Sequence, residues 1–254
     1  MKKVILHTFK SHPKRNYHVI FMIVACLLYN TGITADNKKM TFTTLDGANV
    51  QKISANVMRD AYRRLDISVE IKELPARRSI AMANTGAVDG ELSRVSGLEK
   101  NFTSLIPVKV PVNFIEGMVL SKDKPIKVNG WDSIKGLKIA IRRGVVFSER
   151  GTKGMDVQVL NSWNSIISAL QTGRADVVVV PRTIATQILK KYQSLNIITN
   201  EPPIISLPLF HYLHKKHSSM VPRLEKVLKK MQAEGAIMNI IEKSRKELAS
   251  ATSK

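Results

Sequence analysis

Three histidines, His211, His214 and His217, recur at intervals of three, and two carboxylates, Asp89 and Glu91, stand two residues apart. These are the side chains whose types could hold a metal ion or share an acid/base step. The passage Leu207 to Leu213 reads as a strand, so His211 and His214, three apart, point to opposite faces and do not share one ion. No cysteine or carboxylate cluster completes a ligand set around them. Asp89 and Glu91 would share one strand face, which suits an acid/base pair, but Asp89 has a simpler role. Thr85-Gly86-Ala87-Val88-Asp89 and Thr172-Gly173-Arg174-Ala175-Asp176 are two copies of one signal. In each, the glycine closes an amphipathic helix in the left-handed conformation and the aspartate opens a strand. The chain also lacks a Gly-x-Ser-x-Gly elbow and a phosphate-cradling glycine loop, so an enzyme is not expected.

The duplicated signal implies one kind of unit built twice, with a cleft between two similar lobes. Met40 to Thr44 alternates as a strand. Ile53, Val57, Met58, Ala61 and Leu65 then recur at helical spacing before a strand at Val69 to Leu74. Arg77 to Asn84 is predicted as a short helix and Ala87 to Leu92 as the next strand. The order then repeats: strand Lys138 to Arg142, a helix after Gly144, strand Val157 to Leu160, helix Ser162 to Thr172, strand Ala175 to Val180. In that last helix Trp163, Ile166, Ile167 and Leu170 form an apolar stripe, with Asn161 or Ser162 as the cap. Strands alternating with helices imply parallel sheets with crossover helices, an α/β class. The strand-like passages Val112 to Leu120 and Leu207 to Leu213 bracket the second unit, so the chain leaves the first lobe and returns to it, ending in helices. Two such connections act as a hinge.

Met1 to Ala35 carries five basic residues, no acid, and an apolar run from Val19 to Tyr29 too short for a comfortable membrane span of about 20 residues. This is the pattern of a secretory signal peptide cut after Ala35. A rival reading takes Ile23-Val24-Ala25-Cys26 as a lipoprotein box with a lipidated Cys26; the apolar Leu27, Leu28 and Tyr29 suit it poorly. Removing 35 of 254 residues leaves 219, enough for two modest lobes. Removing five basic residues from a net +20 leaves +15, a charge that raises the question of a nucleic-acid partner. Export and the absence of aromatic residues interleaved with the basic ones argue against it, and a solvated basic surface is expected. Cys26 is the sole cysteine and leaves with the signal, so the mature chain has neither disulfide nor thiol nucleophile.

Ile139-Ala140-Ile141-Arg142-Arg143-Gly144, Leu170 to Val180, and the ending Leu224 to Ile241 with Gly235 between two helices together resemble the family 3 extracellular solute-binding proteins. These have the type II periplasmic binding fold and often serve amino-acid ABC importers. The resemblance implies lobe one at 36–113, lobe two at 114–206, and a return to lobe one at 207–254. It further implies a monomer in the periplasm, with a small-molecule ligand, an ABC permease as partner, no cofactor and no nucleic acid. A ligand-sensing protein for a membrane receptor is the alternative, with an enzyme using a cleft carboxylate behind it.

The same resemblance implies the site. In lobe one it points to Ser93 and Ser96 just beyond the third strand, with Arg94 between them, Glu91 before them, and Arg78 in a Pro-x-x-Arg pattern. In lobe two it points to Arg143, Gly144, Val145 and Val146 at the turn into a helix, and to Arg182. Departures from the family are informative. Asn101 stands where amino-acid binders carry an arginine for the ligand carboxylate. Val145 and Val146 replace the threonines that follow the turn glycine, leaving backbone N–H groups to favour an anion. Pro181 occupies the position of the acid that neutralises a ligand ammonium, and an unpaired buried charge costs several kcal/mol. A zwitterionic amino acid is therefore disfavoured, and a small anionic or polar solute is expected.

Overall fold

The protein is described by a computed structural model covering residues 38–46 and 49–251. The expected signal segment and Cys26 lie outside the described residues. Strands β1 (Lys39–Leu45), β2 (Ser68–Leu74) and β3 (Gly90–Val95) alternate with helices α1 (Asn49–Arg63) and α2 (Ala76–Thr85). A long strand β4 (Leu105–Lys122) leads to β5 (Ile139–Arg142), α3 (Val146–Gly151), β6 (Val157–Leu160), α4 (Trp163–Gln171), β7 (Val177–Pro181) and α5 (Arg182–Lys191). The chain returns through β8 (Ile197–His214) and ends in α6 (Val221–Ala233) and α7 (Ala236–Ala251).

Helix α1 forms because its apolar residues fall on one face. Ile53, Val57, Met58, Ala61 and Tyr62 are all buried, packed with Met40 and Phe42 of β1, and each large side chain so buried contributes roughly 1.5–3 kcal/mol. Helix α2 stops at Gly86, whose φ of 78° lets its N–H reach the Ala83 carbonyl. Ser162 caps α4 by accepting the Ser165 N–H at 3.1 Å. Strand β7 reads Val177-Val178-Val179-Val180 because both its faces are buried. Val178 and Val180 meet Ile166 and Leu170, whereas Val177 and Val179 meet Ile134, Ile139 and Ile141.

The duplicated Gly-x-x-Asp signal has one structural meaning in both copies. Asp89 donates its N–H to the Thr41 carbonyl and accepts the Thr41 N–H on Oδ2, each at 2.8 Å. Asp176 makes the same pair of contacts with Lys138, again at 2.8 Å. Each aspartate fastens the strand it precedes to the start of a neighbouring parallel strand.

The strands of both halves join in one continuous ladder in the order β2-β1-β3-β8-β4-β7-β5-β6. The cause is the length of β4 and β8, 18 residues each, which pair antiparallel from Leu105 opposite His214 to Lys122 opposite Ile197. Pro107, Pro111, Pro202 and Pro203 lie within these strands. Proline donates no ladder hydrogen bond and signals a strand end in sequence, so the expected strands were too short. The register shifts near Pro107, Pro111 and Gly117 absorb the irregularity. The apolar cores nevertheless stay distinct. One draws on residues 40–112 and 213–241, and two others, on opposite faces of β7, draw on residues 118–204.

Candidate functional site

Where β4 passes from one core to the next, a cleft of about 340 Å³ opens at the carboxyl ends of β5 and β7, the end at which α/β sheets receive ligands. Phe114, Ile115 and Glu116 of β4 form one wall. Asn49, Val50 and Ile53 at the start of α1, with Arg245 of α7, close it from the first core. Arg142 ending β5, Val145, Trp163 opening α4, and Pro181 to Ile184 leading into α5 close it from the second. Strand and helix ends thus deliver side chains from both halves to one volume, within the range usual for small-molecule sites.

Most of the charge in the cleft is already paired. Glu116 Oε2 accepts Arg182 Nε at 2.8 Å and also Arg245 Nη2. Arg182 continues to Glu201 with both Nη atoms, at 2.6 and 3.1 Å, the bidentate arrangement that suits guanidinium and carboxylate. The Arg182 contact, assisted by its charge and partly opposed by burial, holds the Glu201 carboxyl below the usual carboxylate range. The reciprocal contact with Glu201, again partly opposed by burial, raises Arg182. Arg142 differs. Its guanidinium carbon lies 4.9 Å from the Trp163 ring centroid, and its Nε is buried without a hydrogen-bond partner.

Two of the expected site residues, Val145 and Arg182, line this cleft. Glu91 and Ser93 are fully buried and outside the lining, in hydrogen bonds of their own. Glu91 accepts Ser79 Oγ at 2.6 Å, Thr43 Oγ1 at 3.0 Å and Arg94 Nε at 2.7 Å; burial raises its carboxyl, with Arg94 opposing. Ser93 donates to Gln51 Oε1 at 2.7 Å. Arg94 gives its Nε to Glu91, while its Nη2 is buried without a hydrogen-bond partner; Arg78 and Ser96 are exposed, and none of the three lines the cleft. Arg143 reaches Asn161 at 3.0 Å on the surface, and Val146 is 53% exposed.

The turn at Gly144 does not offer the free amides expected of it. The Gly144 N–H donates to Glu149 Oε1 at 2.7 Å and the Val145 N–H to the Arg142 carbonyl. Glu149, a carboxylate of the chain itself, takes the Gly144 amide. Sequence reasoning missed Arg142, Glu116 and Arg245, and it assigned Trp163 to the core stripe. Ile139, Ala140 and Ile141 are all buried, so strand alternation gave no reason to choose Arg142 over Arg143. Trp163 begins its helix, where an apolar stripe can end at a cleft.

The histidines do other work. His211 is enclosed by Phe42 and Tyr62, with Nδ1 against the Leu92 carbonyl and Nε2 against the Tyr62 hydroxyl, each at 2.9 Å. His217 meets Asp89 at 2.6 Å. Among the described residues no group of three His, Cys, Asp or Glu side chains is placed to hold a metal ion.

No protein-family model matches the chain. An uncharacterized protein of Shewanella oneidensis is 28% identical over 173 residues, and the chain spans 64% of that relative's length, with 64% of this chain covered. Among solved structures, substrate binding domain 2 of Lactococcus lactis GlnP in an open conformation has a TM-score of 0.64 at 13% identity, covering 82% of this chain and 96% of that one. The L-cystine solute receptor of Neisseria gonorrhoeae, unliganded and open, has a TM-score of 0.63 at 15% identity over 82% and 93%. An ancestral cationic amino acid solute binding protein has a TM-score of 0.60 at 17% identity over 81% and 94%. The chain therefore has the two-lobed α/β type II periplasmic binding fold.

Proposed function

We propose that the protein is a periplasmic solute-binding protein that captures a small polar or anionic solute between its lobes and delivers it to an ABC-type permease. The observation that carries this reading is the composition of the cleft: α1 and α7 supply one wall, β5, α4 and α5 the facing wall, and β4 joins them. A solute touching both walls favours the closed state by its extra contacts there, and β4 and β8 are the hinge strands on which closure would turn. Lobe one is assigned to 36–113 and 207–254 and lobe two to 114–206, a division that follows the separation of the apolar cores. Cleavage after Ala35, a monomeric state and the absence of catalysis belong to the same reading.

The test uses Trp163 as reporter. A metabolite panel is titrated while tryptophan emission and melting temperature are followed, with Trp163→Phe separating the cleft signal from that of Trp131. A true solute at 100 times its Kd stabilises by about 2.7 kcal/mol and shifts the Trp163 emission. If no compound does either, the cleft is not a solute site.

A further inference from the structure

Resting on the reading of the cleft as a solute site, we propose that its solute is a monocarboxylate with an apolar body and no ammonium group, and that Arg142 holds the carboxylate. Within the cleft network Arg182 is held by Glu116 and Glu201, and Arg245 by Glu116 and the exposed Glu242. Arg142 stands outside that network: among the described residues no carboxylate is ion-paired with it, and its buried Nε has no acceptor. Stacking on Trp163 fixes the plane of its guanidinium, so the donors of the fork are oriented before a ligand arrives. A buried donor without a partner is costly, and a carboxylate is the group that satisfies it with two parallel bonds.

The same walls exclude an ammonium. Glu116 is the carboxylate of the lining and already accepts from two guanidinium groups, so an ammonium placed there would sit against Arg182 and Arg245. Apart from Asn49 and Thr183, the remaining surface is apolar. Ile53, Phe114, Ile115, Val145, Trp163 and Ile184 surround a volume that accommodates a phenyl ring or a branched aliphatic chain. The positive end of the cleft is therefore the Arg142 side, and its body takes hydrocarbon.

Calorimetric titration of the purified protein tests this with benzoate, phenylacetate, phenylpyruvate and 4-methyl-2-oxopentanoate, with benzamide and phenylacetamide, and with phenylalanine and leucine. At least one acid is expected to bind, with the amides and amino acids weaker by about tenfold or more. Arg142→Gln should lose about tenfold in affinity for that acid at an unchanged unliganded melting temperature, and Arg142→Lys should recover only part of it, since a lysine cannot form the fork. Amides or amino acids binding as tightly as the acids, or full affinity in Arg142→Gln, overturns the proposal. A sugar, phosphate or polar amino acid that shifts Trp163 emission while all four acids stay silent overturns the monocarboxylate class and leaves the solute-binding reading standing. Silence from every compound removes both.

Discussion

Arg182 meets Glu201 through both of its terminal nitrogens, at 2.6 and 3.1 Å, while its third nitrogen holds Glu116. Glu201 is 56% exposed, so its share is weakened by solvent; Glu116, at 15%, supplies the larger one. Arg182→Gln should destabilise by about 1–2 kcal/mol in urea unfolding, and Arg182→Lys should restore part of that. A variant as stable as the parent would mean that the contact is balanced by hydration.

Gly90 and Gly117 separate two kinds of crowding. A Cβ on Gly90 would lie 2.0 Å from the Tyr212 carbonyl oxygen, a backbone atom fixed by the pairing of β3 with β8. A Cβ on Gly117 would lie 2.6 Å from the Phe147 ring, a side chain that can turn aside. Gly90→Ala is expected to cost about 3 kcal/mol or more and Gly117→Ala about 1 kcal/mol. Equal melting temperatures for the two variants would contradict this order.

His211 makes stability depend on pH. Burial lowers its pKa from 6.5 to about 4 against a smaller upward pull from the Leu92 carbonyl. The unfolded chain therefore takes up the proton first, and stability that is whole above 6.5 is lost as pH falls towards 4. The loss amounts to about 2 kcal/mol at about pH 5. His211→Gln should be less stable at about pH 7 but show a flatter decline, as read from urea midpoints at the two pH values. Parallel declines in variant and parent would assign the effect to other groups.

The twin aspartates should respond unequally. Asp89 is mostly buried and also engages His217 and Lys216, whereas Asp176 is exposed. Burial raises the Asp89 carboxyl, but the hydrogen bonds from the Thr41 N–H, His217 and Lys216, with the Lys216 charge, outweigh it and leave it lowered. Asp89→Ala should cost about 2 kcal/mol and Asp176→Ala less than about 1 kcal/mol. A larger loss at Asp176 would show that the shared backbone tie, and not the added side-chain contacts, dominates.

Much of the fold was legible because apolar spacing reports burial directly. The stripe Ile53, Val57, Met58, Ala61 located α1, and Gly86 marked the end of α2 where its positive φ requires it. Beside β4 and β8, where prolines hid the true strand lengths, the site was the weaker part. A polar side chain such as Ser93 looks free in sequence, yet Gln51, distant along the chain, takes its hydroxyl. Which of two adjacent arginines faces a cleft depends on tertiary context that a buried strand does not encode in its alternation, and so Arg142 stayed hidden behind Arg143.

Lys122 sits opposite Ile197 in the ladder. Everything from 123 to 196 thus begins and ends at adjacent points of one ribbon, as a cassette spliced into the rest. Such a block can be exchanged, lengthened or trimmed by recombination without moving its attachment points. One half of the cleft wall is then free to diversify while the other keeps its fold.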